Sequence, residues 1–112
     1  METEIITCRM LPEKLSGPTL VSVNFEVHGT VQGVYFPRYC QEMCRNFGVR
    51  GWVRNSRKGT IIGQLQGEKD KVDEIAMWLR LQGSPGSRIE RCDFRKWSII
   101  DGYDYRDFRI VY

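Results

Sequence analysis

Between positions 29 and 38 lie residues that could together hold an anion. Gly29 and Gly33 bracket Thr30, Val31 and Gln32, and Val34, Tyr35 and Phe36 lead into Pro37 and Arg38. The segment separates an alternating apolar run from a stretch with helical spacing, so it should be a loop that opens onto a helix N-terminus. Unpaired backbone N–H groups in such a loop point the same way as the positive end of the helix dipole, which makes an anion cradle. By spacing alone the signal is weak, because loops of this kind also take up salt ions or water. Thr30 and Gln32 serve equally well as loop-stabilising groups or as ligand contacts. Arg38 is, by default, a solvated helix arginine.

The elements that must carry this loop can be read on either side of it. Val21, Val23, Phe25 and Val27 alternate with Ser22, Asn24, Glu26 and His28, which predicts a strand with one buried face. A helix follows from Phe36 to Phe47, with Pro37 in its first turn and Gly48 as its stop. Val49–Asn55 and Thr60–Gln66 read as strands joined by the turn Ser56-Arg57-Lys58-Gly59. In that setting Asn55 has ordinary turn chemistry to offer.

A second helix is expected from Glu68 to about Gln82, with Val72, Ile75, Ala76 and Leu79 buried and Trp78 and Leu81 widening the apolar face. Gly83-Ser84-Pro85-Gly86 ends it, and strands are expected over Ile89–Trp97 and Tyr105–Tyr112. The order β-α-β-β-α-β with an extra C-terminal strand predicts a ferredoxin-like α+β sandwich, two helices on one face of an antiparallel sheet. Residues 1–19 carry Pro12, Gly17 and Pro18 without periodicity and are expected to form a flexible extension, leaving 20–112 as the domain.

Composition narrows the classes of function. A chain of 112 residues with 41% hydrophobic and 28% charged residues is one domain with its own core. A net charge of +3, mixed along the chain, gives mild attraction to anions and falls short of a nucleic-acid-binding signature. No apolar run is long enough to span a bilayer, and Glu2 and Glu4 replace the basic start of a signal peptide. Cys8, Cys40, Cys44 and Cys92 have no paired spacing and are read as free thiols in a cytoplasmic protein. With His28 as the one histidine, no metal site is expected, and His28 is read as a spectator. Trp52, Trp78 and Trp97 are read as packing residues.

Two signatures carry a family resemblance. Gly29-Thr30-Val31-Gln32-Gly33-Val34-Tyr35-Phe36, then Gly51-Trp52-Val53-Arg54-Asn55 with Lys58-Gly59-Thr60, resemble the acylphosphatases, as do Gly83-Ser84-Pro85, Ser87-Arg88-Ile89 and the closing Phe108-x-Ile110-x-Tyr112. The resemblance spans Val21 to Tyr112 and is closest to the small vertebrate-type enzymes. It implies hydrolysis of a carboxyl-phosphate anhydride by a monomer, without metal or cofactor, on a small acyl phosphate, with inorganic phosphate as product and no nucleic-acid or membrane partner. It further implies that the amides from Thr30 to Phe36 hold the phosphate and that Asn55 orients the attacking water. Phosphoryl transfer needs positioning and charge neutralisation more than covalent chemistry.

One position departs from the pattern. The family's phosphate-binding arginine follows the loop's phenylalanine directly, and here that place is held by Pro37, with Arg38 one residue later. One helical residue is about 100° of rotation, so Arg38 starts from another side of the cylinder. The sequence therefore predicts a weakened hydrolase in which Arg38 is the stand-in. The alternative is a non-catalytic phosphate-binding module on the same fold. An RNA-recognition module shares the element order, but Lys58-Gly59-Thr60-Ile61-Ile62 lacks the aromatic residues that it needs.

Overall fold

The computed structural model describes residues 19–33 and 35–112. The expected extension over 1–19 lies, apart from Thr19, outside the described residues. Seven elements follow in chain order: β1 (Leu20–Thr30), α1 (Phe36–Phe47), β2 (Arg50–Asn55), β3 (Ile61–Glu68), α2 (Lys69–Leu81), β4 (Arg88–Ile99) and β5 (Phe108–Ile110). The strands form one sheet in the order β4-β1-β3-β2-β5. Both helices pack on one face, the ferredoxin-like α+β arrangement that the element order predicts.

β1 sits inside the sheet because it is apolar on the helix side and has partners on both edges. Val23 and Val27 are fully buried, and Val21 and Phe25 nearly so. β1 pairs antiparallel with β3 and with β4, and β3 pairs antiparallel with β2. The fifth strand differs from the all-antiparallel expectation, because it runs parallel to β2. The reason is geometric: β4 ends at the end of the sheet where β5 begins. The intervening chain crosses the face away from the helices, where Asp104 bonds Gln66 and Tyr105 Oη donates to Gln64 Oε1 at 2.6 Å. That crossing also covers Ser22, read as solvent-facing, by way of Gln64 and Gln66, whereas Glu26, read likewise, is buried against Thr60.

α1 buries Phe36, Cys40 and Cys44 and ends on Gly48 at φ 74°, where a left-handed residue closes the helix. α2 buries Val72, Ile75, Trp78 and Leu79. The Trp78 ring lies 5.4 Å from that of Phe36 and joins the two helices. Leu81 does not extend this face; it is exposed at the last residue of the helix, beyond the reach of the sheet. Trp97 is also more exposed than a packing role implies and tilts against Phe94. Cys40, Cys44 and Cys92 are free. Burial pushes the Cys92 thiol up to about 12 and raises Cys44 well above its ordinary value, so both are packing groups and not nucleophiles.

Candidate active site

The loop between β1 and α1 is shaped by two left-handed residues. Gly33 has φ 81°, which glycine adopts freely, and Tyr35 has φ 56° at the position just before the helix. A non-glycine residue there is held at a cost of about 1–2 kcal/mol, so the surroundings must enforce it. Tyr35 is followed by Pro37 in the first turn, where the fixed φ of proline suits a helix start. Among the described residues, the amides of Gln32, Gly33 and Tyr35 have no backbone acceptor. The first turn of α1 holds no acidic side chain that would occupy its positive end. Curled backbone with free N–H groups at a helix N-terminus binds anions.

Gln32 fastens this loop to the β2–β3 hairpin. Its Nε2 donates to Ser56 O and to Thr60 O, both at 2.9 Å, so both amide hydrogens are spent on structure. Two such bonds contribute roughly 1–3 kcal/mol together. The hairpin is braced from beneath: Thr60 Oγ1 lies 2.6 Å from Ser56 Oγ and donates to Glu26 Oε2 at 2.8 Å. That hydrogen bond, against the cost of burial and with Lys58, His28 and Arg95 nearby, holds the Glu26 carboxyl below the usual carboxylate range. The chain Gln32–hairpin–Glu26 fixes the loop relative to Asn55, the last residue of β2.

Asn55 and the loop face one space. A cleft of about 670 Å³ is lined by Gly33, Tyr35, Pro37, Arg38, Asn55, Ile110, Val111 and Tyr112. Asn55 and Arg38 are exposed there, and neither side chain has a hydrogen-bond or ion-pair partner among the described residues. A free carboxamide, a free guanidinium and unpaired amides around one opening can position a tetrahedral anion and a water. Arg38 also borders an adjoining cleft of about 340 Å³ with Gln41, Arg45, Asp107, Arg109, Ile110 and Tyr112. The Asp107 carboxylate is engaged there by Arg45 at 2.8 Å, which lowers its pKa.

The other candidate residues divide by burial. Val31 and Phe36 are in the core, so only their backbones can meet a ligand, and Thr30 is exposed at the end of β1, paired with Arg88. Val34 lies outside the described residues. The cleft wall formed by Ile110, Val111 and Tyr112 was not anticipated as part of the site. Ile110 and Tyr112 carry part of the family resemblance, but nothing local marks them as cleft wall, because their place depends on β5 docking beside β2, where Val111 N donates to Val53 O at 2.9 Å.

The fold is that of a small α+β domain with its main cleft at the start of α1. The chain belongs to the acylphosphatase family, whose sequence profile matches residues 23–110. It is 47% identical over 95 residues to mouse acylphosphatase-1, covering 85% of this chain and 96% of that protein. It is likewise 47% identical over 94 residues to human acylphosphatase-2, covering 84% and 95%. Among solved structures, the acylphosphatase from Bacillus subtilis superposes with a TM-score of 0.74 at 25% identity, covering 82% of this chain and 99% of that one. No helix of the described residues is long and apolar enough to cross a membrane.

Proposed function

We propose that this protein hydrolyses small acyl phosphates to a carboxylate and inorganic phosphate, with turnover below that of a family member carrying the arginine that Pro37 replaces. The observation that carries the reading is the convergence of Asn55, Arg38 and the unpaired loop amides on one cleft. In this reading the amides of the Thr30–Phe36 loop bind the phosphoryl oxygens. Asn55 accepts a hydrogen bond from the attacking water and aims its oxygen at phosphorus. The water oxygen forms the new P–O bond as the acyl oxygen leaves as carboxylate, whose low basicity removes the need for a strong general acid.

Arg38 supplies the positive charge. It borders the cleft from the first turn of α1, and a long side chain without a competing partner among the described residues can lean back over the opening. Charge neutralisation by one preorganised donor is worth ~2.7–4 kcal/mol in hydrolytic sites, so the change from arginine to proline at 37 costs the reaction on that scale unless Arg38 recovers part of it. The test is steady-state hydrolysis of benzoyl phosphate by wild type, Arg38→Ala and Pro37→Arg. Low wild-type turnover that falls further in the first variant and rises in the second supports the reading. Wild-type turnover that Arg38→Ala leaves unchanged refutes the stand-in role.

The second reading is a phosphate-binding module without catalysis. The same free amides favour it, because they bind an anion whether or not an arginine follows. It predicts that phosphate raises the unfolding temperature while no acyl phosphate is consumed.

A further inference from the structure

His28, Glu26 and Asp93 meet on the sheet face opposite the helices. Glu26 and His28 are two residues apart on β1 and share a face, and Asp93 is the register partner of Glu26 on β4. His28 Nε2 lies 3.2 Å from Asp93 Oδ2 and 3.8 Å from Glu26 Oε1, and one ligand atom from each of the three falls within 4.8 Å of the others. A metal bound at ~2.0–2.2 Å in tetrahedral geometry spaces its ligands by ~3.3–3.5 Å, against separations of no more than 4.8 Å within this set. Glu26 supplies an independent observation. It is nine-tenths buried, and Thr60 satisfies only Oε2. Oε1 makes no hydrogen bond among the described residues and faces the histidine and Arg95 at 3.8 Å.

We propose that Glu26 Oε1, His28 Nε2 and Asp93 form a binding site for one divalent transition-metal ion, separate from the acyl-phosphate cleft. An imidazole with two carboxylates suits zinc, cobalt or nickel better than calcium or magnesium, which take all-oxygen sites. Thr60 fixes the buried carboxylate as the outer partner of a metal ligand does. Two arginines act as latches. Arg91 Nε lies 3.3 Å from the Asp93 carboxylate and its Nη2 3.4 Å from His28 Nε2, while Arg95 reaches Asp93 at 3.6 Å. Both latches are mostly solvent-exposed, and both must swing aside for the ion. The site therefore sets a cation against two mobile guanidinium groups, and weakening a latch tightens the metal.

The experiment is titration of chelator-treated full-length protein with Co2+, followed by visible absorption, with Zn2+ followed by calorimetry. One equivalent is expected to bind with d–d bands and no thiolate charge-transfer band, which separates this site from the cysteines. His28→Asn or Asp93→Asn should weaken binding by about 100-fold or more, beyond the ~10–100-fold cost of losing an outer partner. Arg91→Ala should tighten it by up to about 5-fold, the scale of one exposed ion pair. Circular dichroism confirms that each variant is folded, and Asp93→Asn stands in if His28→Asn is not. Absence of a stoichiometric site in the wild type, a thiolate band, or wild-type affinity retained by the folded ligand variants overturns the proposal.

Discussion

The domain makes the passage from strand to helix twice, and the two passages differ. Between β3 and α2 there is no loop: Glu68 ends the strand in extended conformation and Lys69 begins the helix, its N–H bonded to Thr19 O at 2.8 Å. Asp70 sits in the first turn and meets the positive end of the dipole. Between β1 and α1 the chain instead spends residues 31–35 on a loop. That loop holds Tyr35 in a left-handed conformation and leaves the amides of Gln32, Gly33 and Tyr35 without backbone partners among the described residues. Where local needs are met, the connection serves the fold alone. Where strain is maintained by outside support from Gln32, the connection is the one to which the proposed function assigns the phosphate.

The largest expected effect breaks the first passage away from its partner residue. Asn55→Ala should lower kcat on an acyl phosphate by ~100–1,000-fold, the scale on which one preorganised polar group acts in a hydrolytic site, with little change in the unfolding midpoint because the side chain is exposed and unpartnered among the described residues. Pro37→Arg acts in the opposite direction and should raise kcat by up to a similar factor. If that variant binds phosphate and stays inactive, proline is not the source of the deficit.

Glycine substitutions sharpen the comparison directly. Gly33→Ala forces a Cβ into φ 81°, although nothing lies within 4 Å of it. It should cost about 1–2 kcal/mol in chemical denaturation and weaken phosphate binding as well. Gly67→Ala, beside the second passage, introduces only ordinary contacts with Val49 and Val72 and should change stability by about 0.5 kcal/mol or less, with no effect on phosphate. Equal effects at both positions would erase the distinction between the loops.

The smallest effect is on the acid side of the stability curve. Glu26 braces the hairpin that Gln32 grips, and its folded pKa is depressed, chiefly by the Thr60 hydrogen bond. A depressed carboxylate stabilises the folded state fully above its unfolded value near pH ~4.3, and the stabilisation is lost as pH falls through the lower folded value. Glu26→Gln should flatten that limb of the urea midpoint against pH. An unchanged acid limb would show that the hairpin does not depend on the charge of Glu26.

Much of this was open to reading before any coordinates. Apolar alternation in β1, Pro37 and Gly48 at the ends of α1, and the Ser56–Gly59 turn each follow local rules, because φ restriction, helix capping and strand periodicity act within a few residues. The stretch from Gly29 to Phe36 declared itself by its glycines, although Gly29 and Thr30 close β1, and the family resemblance was carried by the same stretch together with Gly51–Asn55.

Other features had no local trace. That Gln32 is a strut and that Ile110–Tyr112 wall the cleft both depend on residues far apart in the chain. The parallel direction of β5 follows from where the 100–107 segment crosses the sheet. His28 gives the plainest case: by itself it is one polar residue on a strand, and only the β1–β4 register brings the Asp93 carboxylate to it. Composition and element order were determined by the sequence alone, since each is decided by neighbours along the chain. The partners of Gln32 and His28 were decided by tertiary structure, because sheet order and register bring together groups that the sequence keeps 24 to 65 residues apart.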